Sequence, residues 1–423
     1  MVKPDAVPVR GSVPWAWIVF ALAVASGLAM VFVVSKTSVA SSGFDPYYFG
    51  QMGKSIATGH GFAGFGVLIQ RRAPLYPAVI GAVYAVFGVH PQLFLVFQCF
   101  MFAGTCVLVF DIGRRLFNER TGVIAAFFCA LNPMLLNYIA YLHLETLLTF
   151  LVTLVVWLMV RFYERPTVGN GALIGLAAGA ATLTKAVVLP FPILFGLGVV
   201  LSLRAARRRG DNKVIPWAAL ATMVVVLGCT LVPWTIRNYR SSGHFVLVST
   251  GTSDAFLRGF IFSRTEFITL QKPPFTDAEN ESNTYFKALA RAAGTEWQKN
   301  DYETDKILNR EAKRRLLAQP AQVVRKSVIG LFTFWYELTS LKNSLLALIL
   351  AIGAWALALI GWRRARREGR PSWLLLLPVI YLNVSLALLL ALGRYSVPIL
   401  PALLVLSAYG LDSLLVRRHA ARA

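Results

Sequence analysis

Long apolar runs alternate with short basic loops along most of this 423-residue chain. A helix that crosses a bilayer needs about 20 predominantly apolar residues. Each apolar run that approaches this length is therefore expected to form a transmembrane helix. The predicted spans are 14–34, 92–110, 122–137, 144–160, 172–184, 189–203, 215–232, 344–362, 373–392 and 397–416.

The composition supports a membrane protein. Hydrophobic residues make up 57% of the chain and charged residues 15%, whereas a soluble protein averages roughly 25% charged residues. So much apolar surface needs lipid around it. The predicted fold class is an all-α polytopic membrane protein, a bundle of about ten transmembrane helices with juxtamembrane helices and a small insert on the outer face. The four cysteines lie in apolar runs without ligand spacing, so neither disulfides nor a metal site is expected.

The net charge of +22 is distributed in a way that argues against nucleic-acid binding. Its arginines cluster in the short loops GRRLFNERTG, RFYERPTVGN, RAARRRGDNK and RRARREGR and in the tail RRHAARA. Arginine-rich loops on one side are typical of the cytoplasmic face of a membrane protein. The sequence predicts a multi-pass protein of a bacterial inner (plasma) membrane, with both termini in the cytoplasm.

On this topology the outer face holds two long polar segments, 35–91 and 233–342. The predicted modules are a transmembrane catalytic module at 1–232, the outer insert at 233–342 and C-terminal transmembrane helices at 343–423. Within the first segment, 74–89 is expected to form a helix in the membrane interface. Within the insert we expect a strand at 245–250 (FVLVST), a charged helical stretch at 278–317 and an amphipathic helix at 321–337.

Two acids at the outer ends of the spans are the catalytic candidates. Asp45 follows the first span in GFDPYYFG, where it would act either as a helix N-cap or as a catalytic carboxylate. Glu145 begins a span, where an acid is also favoured by the helix dipole. His143 precedes it in a spacing unlike that of helical metal sites. We expect no metal, with a divalent ion bridged by Asp45, His143 and Glu145 as the alternative.

Cations on the outer face run against the usual orientation bias and call for an anionic partner. A lipid phosphate would supply one, and simple snorkelling to headgroups is the alternative. The candidates for binding a phosphate are Arg71, Arg72, Lys185, Arg237 and Arg394. Polar and aromatic residues at the same end suit a sugar or acceptor site, and the aromatic ones also suit an interfacial belt: Tyr47, Tyr48, His60, His143 and Tyr395.

Taken together, the motifs resemble the GT-C superfamily of membrane glycosyltransferases, in its protein O-mannosyltransferase-like and lipid A aminoarabinose transferase-like branch. The matching elements are FDPYY, RRAPLYP, LHLETLL, GLAAGAATLTK, PWTIRNY and GRYSVPILP, in that order along the chain. The resemblance implies a polyprenyl-phosphate-linked sugar donor, a glycan or glycolipid acceptor, and a site at the outer face. It also implies that Asp45 is the catalytic acid of the first loop and that Arg72 binds phosphate.

This chemistry suits the residues present. A polyprenyl phosphate is a good leaving group that requires cations, and the acceptor hydroxyl requires a carboxylate base. Attack from the ring face opposite the phosphate would invert the anomeric carbon. Two other classes stay open at this point: a polysaccharide polymerase or ligase, which a long outer loop would suit, and a lipid-linked-sugar flippase or secondary transporter, which would show inverted repeats and midplane polar groups.

Overall fold

The computed structural model describes residues 14–35, 44–64, 67–68, 71–210, 214–264, 274–296 and 301–420. These residues are predominantly helical, which confirms the predicted all-α fold. The helices of the first half are α1 Trp15–Ser35, α2 Phe44–Ala57, α3 Leu75–Phe87, α4 Pro91–Leu116, α5 Glu119–Ala130, α6 Pro133–Ile139, α7 Glu145–Glu164, α8 Val168–Thr184 and α9 Pro190–Arg207. A two-residue pairing of β1 Ala63–Gly64 with β2 Val67–Leu68 lies between α2 and α3.

The second half continues the helical bundle and adds the insert. Its helices are α10 Trp217–Ser242, α11 Thr252–Phe262, α12 Pro274–Ala292, α13 Asp301–Ala318, α14 Pro320–Thr333, α15 Leu341–Arg367, α16 Trp373–Leu388 and α17 Leu400–Ala420. Short 3-10 helices, Ala186–Val188 and Gly393–Ile399, precede α9 and α17.

Among the described residues, seven helical segments are long and apolar enough to cross a membrane. They correspond to seven of the predicted spans, and the chain is a multi-pass membrane protein. The segments are Trp15–Val34, Pro91–Leu116, Glu145–Glu164, Ala186–Arg207, Trp217–Ser242, Leu341–Arg367 and Gly393–Val416. Two further predicted spans are the shorter apolar helices α8 and α16, of 17 and 16 residues.

The predicted span 122–137 is wrong as a single straight helix. The chain forms α5 and α6, which are bent by 52° at the break between them. Asn132 causes the break, because its side chain accepts hydrogen bonds from the backbone N–H groups of Met134 and Leu135 and so starts a new helix. Pro133 follows at the first helical position, where its missing N–H costs nothing.

The glycines of α8 allow α8 and α10 to pack closely. A Cβ atom at Gly171 would lie 2.2 Å from the carbonyl oxygen of Ala219, and one at Gly175 would lie 2.4 Å from that of Met223. Spaced small residues let helix backbones approach in this way. The close packing places the C-terminal end of α8, with Lys185, firmly against the bundle.

The strand predicted at 245–250 is wrong. This segment instead folds back along the end of α10, which runs to Ser242 and ends at Gly243 in the left-handed region (φ 72°). The side chain of Asn238 donates to the carbonyls of Val246 and Val248, and Trp234 also donates to Val248. These side chains thus form hydrogen bonds with the backbone carbonyls that would otherwise pair with a neighbouring β-strand. The predicted module boundary at 232/233 lies inside α10.

The charged stretch predicted at 278–317 forms two helices, α12 and α13. Gly294, with φ 74°, follows α12 in a conformation that favours glycine and ends the helix. The predicted interface helices at 74–89 and 321–337 form α3 and α14. Their depth in the lipid stays a prediction.

Ion pairs of the arginine-rich loops gather at one end of the bundle. Asp412, with 3% of its side chain exposed, binds Arg364 at 3.1 Å and Arg120 at 3.4 Å. Asp111 binds Arg114 and Arg115 and accepts a hydrogen bond from Trp157. Since both of these acids have arginine partners, their charges are balanced within this end of the bundle. The candidate site lies at the other end, where α7 begins and α8 ends.

Candidate active site

The carboxylate of Asp45 is held between two arginines. Its Oδ1 accepts a hydrogen bond from Nη2 of Arg72 at 2.6 Å, and its Oδ2 accepts one from Nη1 of Arg394 at 2.9 Å. The Asp45 side chain is 17% exposed. Asp45 is therefore a partner of two cations in this structure.

Arg72 is placed by the helix that follows it and by an aromatic neighbour. Its guanidinium carbon lies 5.5 Å from the centroid of the Phe49 ring, and that ring packs edge-on against Tyr76 at 5.0 Å. Pro74 then leads directly into α3. The RRAPLYP element thus fixes Arg72 against α2, on which Asp45 lies.

Arg394 also approaches a second, deeply buried acid. Its Nε lies 4.0 Å from Oε1 of Glu145, whose side chain is only 3% exposed. Arg394 Nε and Glu145 Oε2 are both buried without a hydrogen-bond partner among the described residues. Nδ1 of His143 lies 3.8 Å from Glu145 Oε2, beyond hydrogen-bond range. Unsatisfied buried polar groups cost about 1–3 kcal/mol each, so their presence together indicates a place where a ligand completes the bonding.

Lys185 and Tyr395 form the other wall of the cluster. Nζ of Lys185 lies 3.4 Å above the centroid of the Tyr395 ring, and the Tyr395 hydroxyl accepts a hydrogen bond from Nη2 of Arg394 at 3.2 Å. Lys185 is the single residue between α8 and the 3-10 helix Ala186–Val188. The close packing of α8 therefore holds the backbone of Lys185 in place. The cluster therefore contains three cations and two acids, contributed by distant segments.

Burial and charge together set the protonation of this cluster. Burial would raise the pKa of the Asp45 carboxyl, but Arg72 and Arg394 outweigh it and hold the pKa well below its usual value. Burial lowers the pKa of the His143 imidazole against the opposing charge of Glu145. Burial likewise lowers the pKa of Lys185 to about 7. At neutral pH Asp45 is ionised, His143 is neutral and Lys185 is divided between its two forms.

Comparison with known proteins places this geometry in a known fold. Residues 71–234 match the family model described as dolichyl-phosphate-mannose-protein mannosyltransferase. The structure aligns over 97% of the chain with the archaeal oligosaccharyltransferase AglB from Archaeoglobus fulgidus, solved with an inhibitory peptide and a dolichol-phosphate, at a TM-score of 0.60 and 14% identity. The apo form of the Archaeoglobus fulgidus oligosaccharyltransferase aligns over 96% at a TM-score of 0.59 and 15% identity.

The chain has the GT-C glycosyltransferase fold. It spans about half the length of the archaeal proteins, 51% in both comparisons. ArnT from Cupriavidus metallidurans, solved with undecaprenyl phosphate, aligns over 95% of this chain and 79% of its own length at 18% identity and a TM-score of 0.41. We assign the fold from the two archaeal structures. No significant sequence match to a curated protein was found.

Within this GT-C fold, Arg71 and Arg72 point to different partners. Arg71 pairs with Asp254 of α11 at 2.8 Å, and Asp254 also pairs with Arg258 at 3.1 Å. Asp254 is buried and was not a candidate from the sequence, where it is one acid in an unremarkable loop. Arg71 thus joins the segment between α2 and α3 to the insert, while Arg72 joins the same segment to Asp45.

Among the other predicted site residues, Arg237 and His60 contact residues outside the cluster in this GT-C structure. Arg237 lies over Trp234 at 4.7 Å and donates to the carbonyl of Phe62 at 3.4 Å. His60 is exposed and contacts Thr58. Tyr47 is half exposed at 50%, and Tyr48 is partly buried. Their predicted roles with phosphate or sugar stay predictions.

Gln98 is a positioning residue that the sequence did not single out. Its amide donates to the carbonyls of Ile139 and Tyr141, both at 2.9 Å, and its oxygen accepts from the Tyr76 hydroxyl at 3.0 Å. It thereby ties α3, α4 and the turn before His143 together. A lone amide within the apolar run of α4 was the available signal, since polar groups at membrane depth are costly unless paired.

The alternative of a divalent metal bridged by Asp45, His143 and Glu145 finds no matching set of ligands among the described residues. In the described parts of the GT-C chain, no group of three or more His, Cys, Asp or Glu side chains converges as metal ligands do. The expectation that no cofactor is needed stays a prediction.

Proposed function

We propose that this protein transfers a sugar from a polyprenyl-phosphate donor to a hydroxyl group of an envelope glycan or glycolipid, with inversion at the anomeric carbon. The observation that carries the proposal is the Asp45 carboxylate between Arg72 and Arg394, beside the unsatisfied pair of Arg394 Nε and Glu145 Oε2. The carboxylate can act as the base, and the two arginines beside it can bind the donor phosphate.

Donor binding would exchange the partners of the arginines. The donor phosphodiester is an anion that binds guanidinium groups through paired N–H donors, as carboxylates do. When it engages Arg72 and Arg394, it competes with Asp45 for them. Lys185, next to Tyr395, adds a further cation at the same place. These cations stabilise the negative charge that develops on the leaving phosphate.

The same exchange activates the base. In the free protein the arginines hold the pKa of Asp45 low, which makes it a weak base. Partial loss of the arginines to phosphate lets the pKa rise, so Asp45 becomes a better proton acceptor only when donor is present. The acceptor oxygen then bonds to the anomeric carbon, the bond from that carbon to the phosphate oxygen breaks, and the acceptor proton passes to Asp45.

The comparisons support a lipid-linked donor by analogy. The matching family model is described by dolichyl-phosphate-mannose, and the similar archaeal oligosaccharyltransferase was solved with a dolichol-phosphate and an inhibitory peptide. For this chain the donor, the acceptor and the transferred hexose or pentose are part of the proposal. The topology is also part of the proposal: both termini lie in the cytoplasm, and the site lies on the outer face of a bacterial inner membrane. The separation of the arginine-rich loops from the Asp45 cluster supports this orientation.

Asp45→Asn tests the proposal directly. The purified protein is incubated with a polyprenyl-phosphate sugar and a glycolipid fraction, and the product and its anomeric configuration are measured by mass spectrometry and NMR. We expect Asp45→Asn to lose transfer while still binding donor, and the exposed Asp277→Asn to transfer normally. Full activity of Asp45→Asn, a retained anomeric configuration, or donor movement across vesicles without covalent product would overturn the proposal.

A further inference from the structure

The insert contains a second polar cavity, apart from the Asp45 cluster. It has a volume of about 360 Å³ and lies between α11, α12, α13 and α14. Sites for small molecules typically measure about 300–1,000 Å³, so the cavity is large enough for one sugar or headgroup. We refer to it as the insert cavity.

One arginine of the insert cavity is held rigidly. Arg315 donates from Nε to Glu311 and from Nη2 to the Tyr285 hydroxyl, both at 2.9 Å. Its guanidinium carbon also lies 5.4 Å from the Phe260 ring centroid and 5.0 Å from that of Tyr285. These contacts fix the plane of the guanidinium before any ligand binds, which reduces the entropy lost on binding.

Arg315 keeps binding capacity for a ligand. A guanidinium has five N–H donors, and two of those of Arg315 bond to the described residues. Nη1 has no partner within the described part of the chain. The amide of Gln322, which also lines the cavity, has no side-chain partner there either. A fork of N–H donors beside an amide is the arrangement that binds phosphate oxygens and neighbouring hydroxyls.

The charge around the cavity favours an anion. Arg264, Arg315, Arg325 and Glu281 line it, while Glu311 behind Arg315 is shared with Arg314. Glu281 pairs with Arg264, so Glu311 is one carboxylate against the two arginines Arg314 and Arg315. A phosphate ester bound to Arg315 would offset the remaining positive charge of this pair, which an uncharged sugar would not.

The position of α14 brings lipid headgroups within reach. Gln322 and Arg325 lie on α14, whose other side exposes Val324 at 63% and Leu331 at 36%. The helix leads through 334–340 into the span Leu341–Arg367. An amphipathic helix joined so closely to a span lies at the membrane surface, which puts the cavity at the depth of phosphate headgroups.

We propose that the insert cavity binds a phosphate ester that carries hydroxyl groups, supplied by an anionic lipid headgroup or by a soluble sugar phosphate. Arg315 Nη1 holds the phosphate and the Gln322 amide holds an ester oxygen or hydroxyl. This binding needs no sugar transfer and does not depend on the function proposed for Asp45.

The test uses the full-length protein without donor. One arm titrates glucose 6-phosphate, with glucose as the uncharged control, by calorimetry. The other arm counts phosphatidylglycerol retained in native mass spectrometry, with phosphatidylcholine as the control. We expect at least one phosphate probe to bind, and its affinity to fall about tenfold or more in Arg315→Gln, as expected when a charged hydrogen bond is lost. Binding of the lipid alone identifies a headgroup, and binding of glucose 6-phosphate alone identifies a soluble ligand.

Two further variants keep the test decisive. Arg310→Gln removes an exposed arginine of α13 that does not line the cavity, and should bind as the wild type does. Gln322→Ala removes an exposed amide that lines the cavity, and should weaken binding several-fold at an unchanged melting temperature. The proposal is overturned if neither phosphate probe binds, if glucose or phosphatidylcholine binds equally well, if Arg310→Gln loses as much affinity as Arg315→Gln, or if Gln322→Ala binds normally.

Discussion

Asp45 accepts a hydrogen bond at 2.9 Å from Arg394, a residue 349 positions further along the chain. Arg394 lies in the 3-10 helix before α17, so this segment near the C-terminal end of the chain reaches back to α2, on which Asp45 lies. The same guanidinium approaches Glu145 at the start of α7. One cation therefore connects both acidic candidates, and any change to it should affect the whole cluster.

Arg394→Gln should reduce transfer by about two orders of magnitude, as removal of one group that stabilises transition-state charge commonly does. The donor KM should rise as well, because the ground-state phosphate also loses a partner. Steady-state kinetics with a polyprenyl-phosphate sugar would measure both. Arg240→Gln, an exposed arginine at the end of α10, is the matched control. Equal kinetics in Arg394→Gln and Arg240→Gln would contradict the role assigned to Arg394.

Donor binding should weaken as the pH rises through about 7, the value to which burial lowers the pKa of Lys185. The sign follows from the charges. A bound phosphodiester stays anionic over this range and stabilises the protonated form of Lys185. Above pH 7 the free protein has mostly neutral Lys185, which must take up a proton when the donor binds. Donor affinity therefore falls with increasing pH. Binding measured by calorimetry between pH 6 and 9 would give this profile.

Lys185→Arg provides the control for that profile, because a guanidinium stays charged throughout the range. Its donor affinity should be nearly independent of pH. A slope in Lys185→Arg as steep as that of the wild type would assign the titration to another group.

Gln98→Leu should destabilise the protein by about 2–4 kcal/mol, since it leaves the Ile139 carbonyl and the Tyr76 hydroxyl without a partner and removes one of the two hydrogen bonds to the Tyr141 carbonyl. Thermal unfolding in detergent would show a lower midpoint. Gln92→Leu, an exposed position on the same helix, should leave the midpoint nearly unchanged. If both variants unfold at the wild-type temperature, the three hydrogen bonds of Gln98 do not hold α3, α4 and the following turn together.

Gly175→Ala should also lower the unfolding midpoint, because the new Cβ would lie 2.4 Å from the carbonyl oxygen of Met223. Gly169 lies in the first turn of the same helix, with open space around its Cβ position. Gly169→Ala should therefore be neutral or stabilise by up to about 1 kcal/mol through helix propensity. The two substitutions are chemically identical, so a difference in melting temperature reports packing. An equal effect would argue against close contact of α8 with α10.

Asp254→Asn should loosen the insert from the segment between α2 and α3, because it removes the negative partner of Arg71 and Arg258. Faster hydrogen exchange is expected in 252–262, measured by mass spectrometry. Asp277→Asn, which changes an exposed acid of α12, should exchange as the wild type does. Unchanged exchange in Asp254→Asn would show that the ion pairs do not fasten this part of the insert.

Local patterns could predict much of this protein. The apolar runs correctly predicted the seven described helices that are long enough to cross a membrane, since burying backbone polar groups in lipid forces a helix wherever a run is long enough. They failed at 122–137, where Asn132 satisfies backbone N–H groups and starts a second helix. They failed again at 245–250, where β-branched residues suggest a strand but Asn238 and Trp234 take the carbonyls.

By itself the sequence determined the membrane class, the helical fold and the acids and cations at one end of the spans, because hydropathy and charge act locally along the chain. Only the tertiary structure decided which cation meets which acid. Arg72 and Arg394 meet Asp45, while their candidate neighbours Arg71 and Arg237 meet Asp254 and Phe62. Such pairings join segments that are distant in sequence, and they depend on how the helix ends pack, which no local pattern encodes.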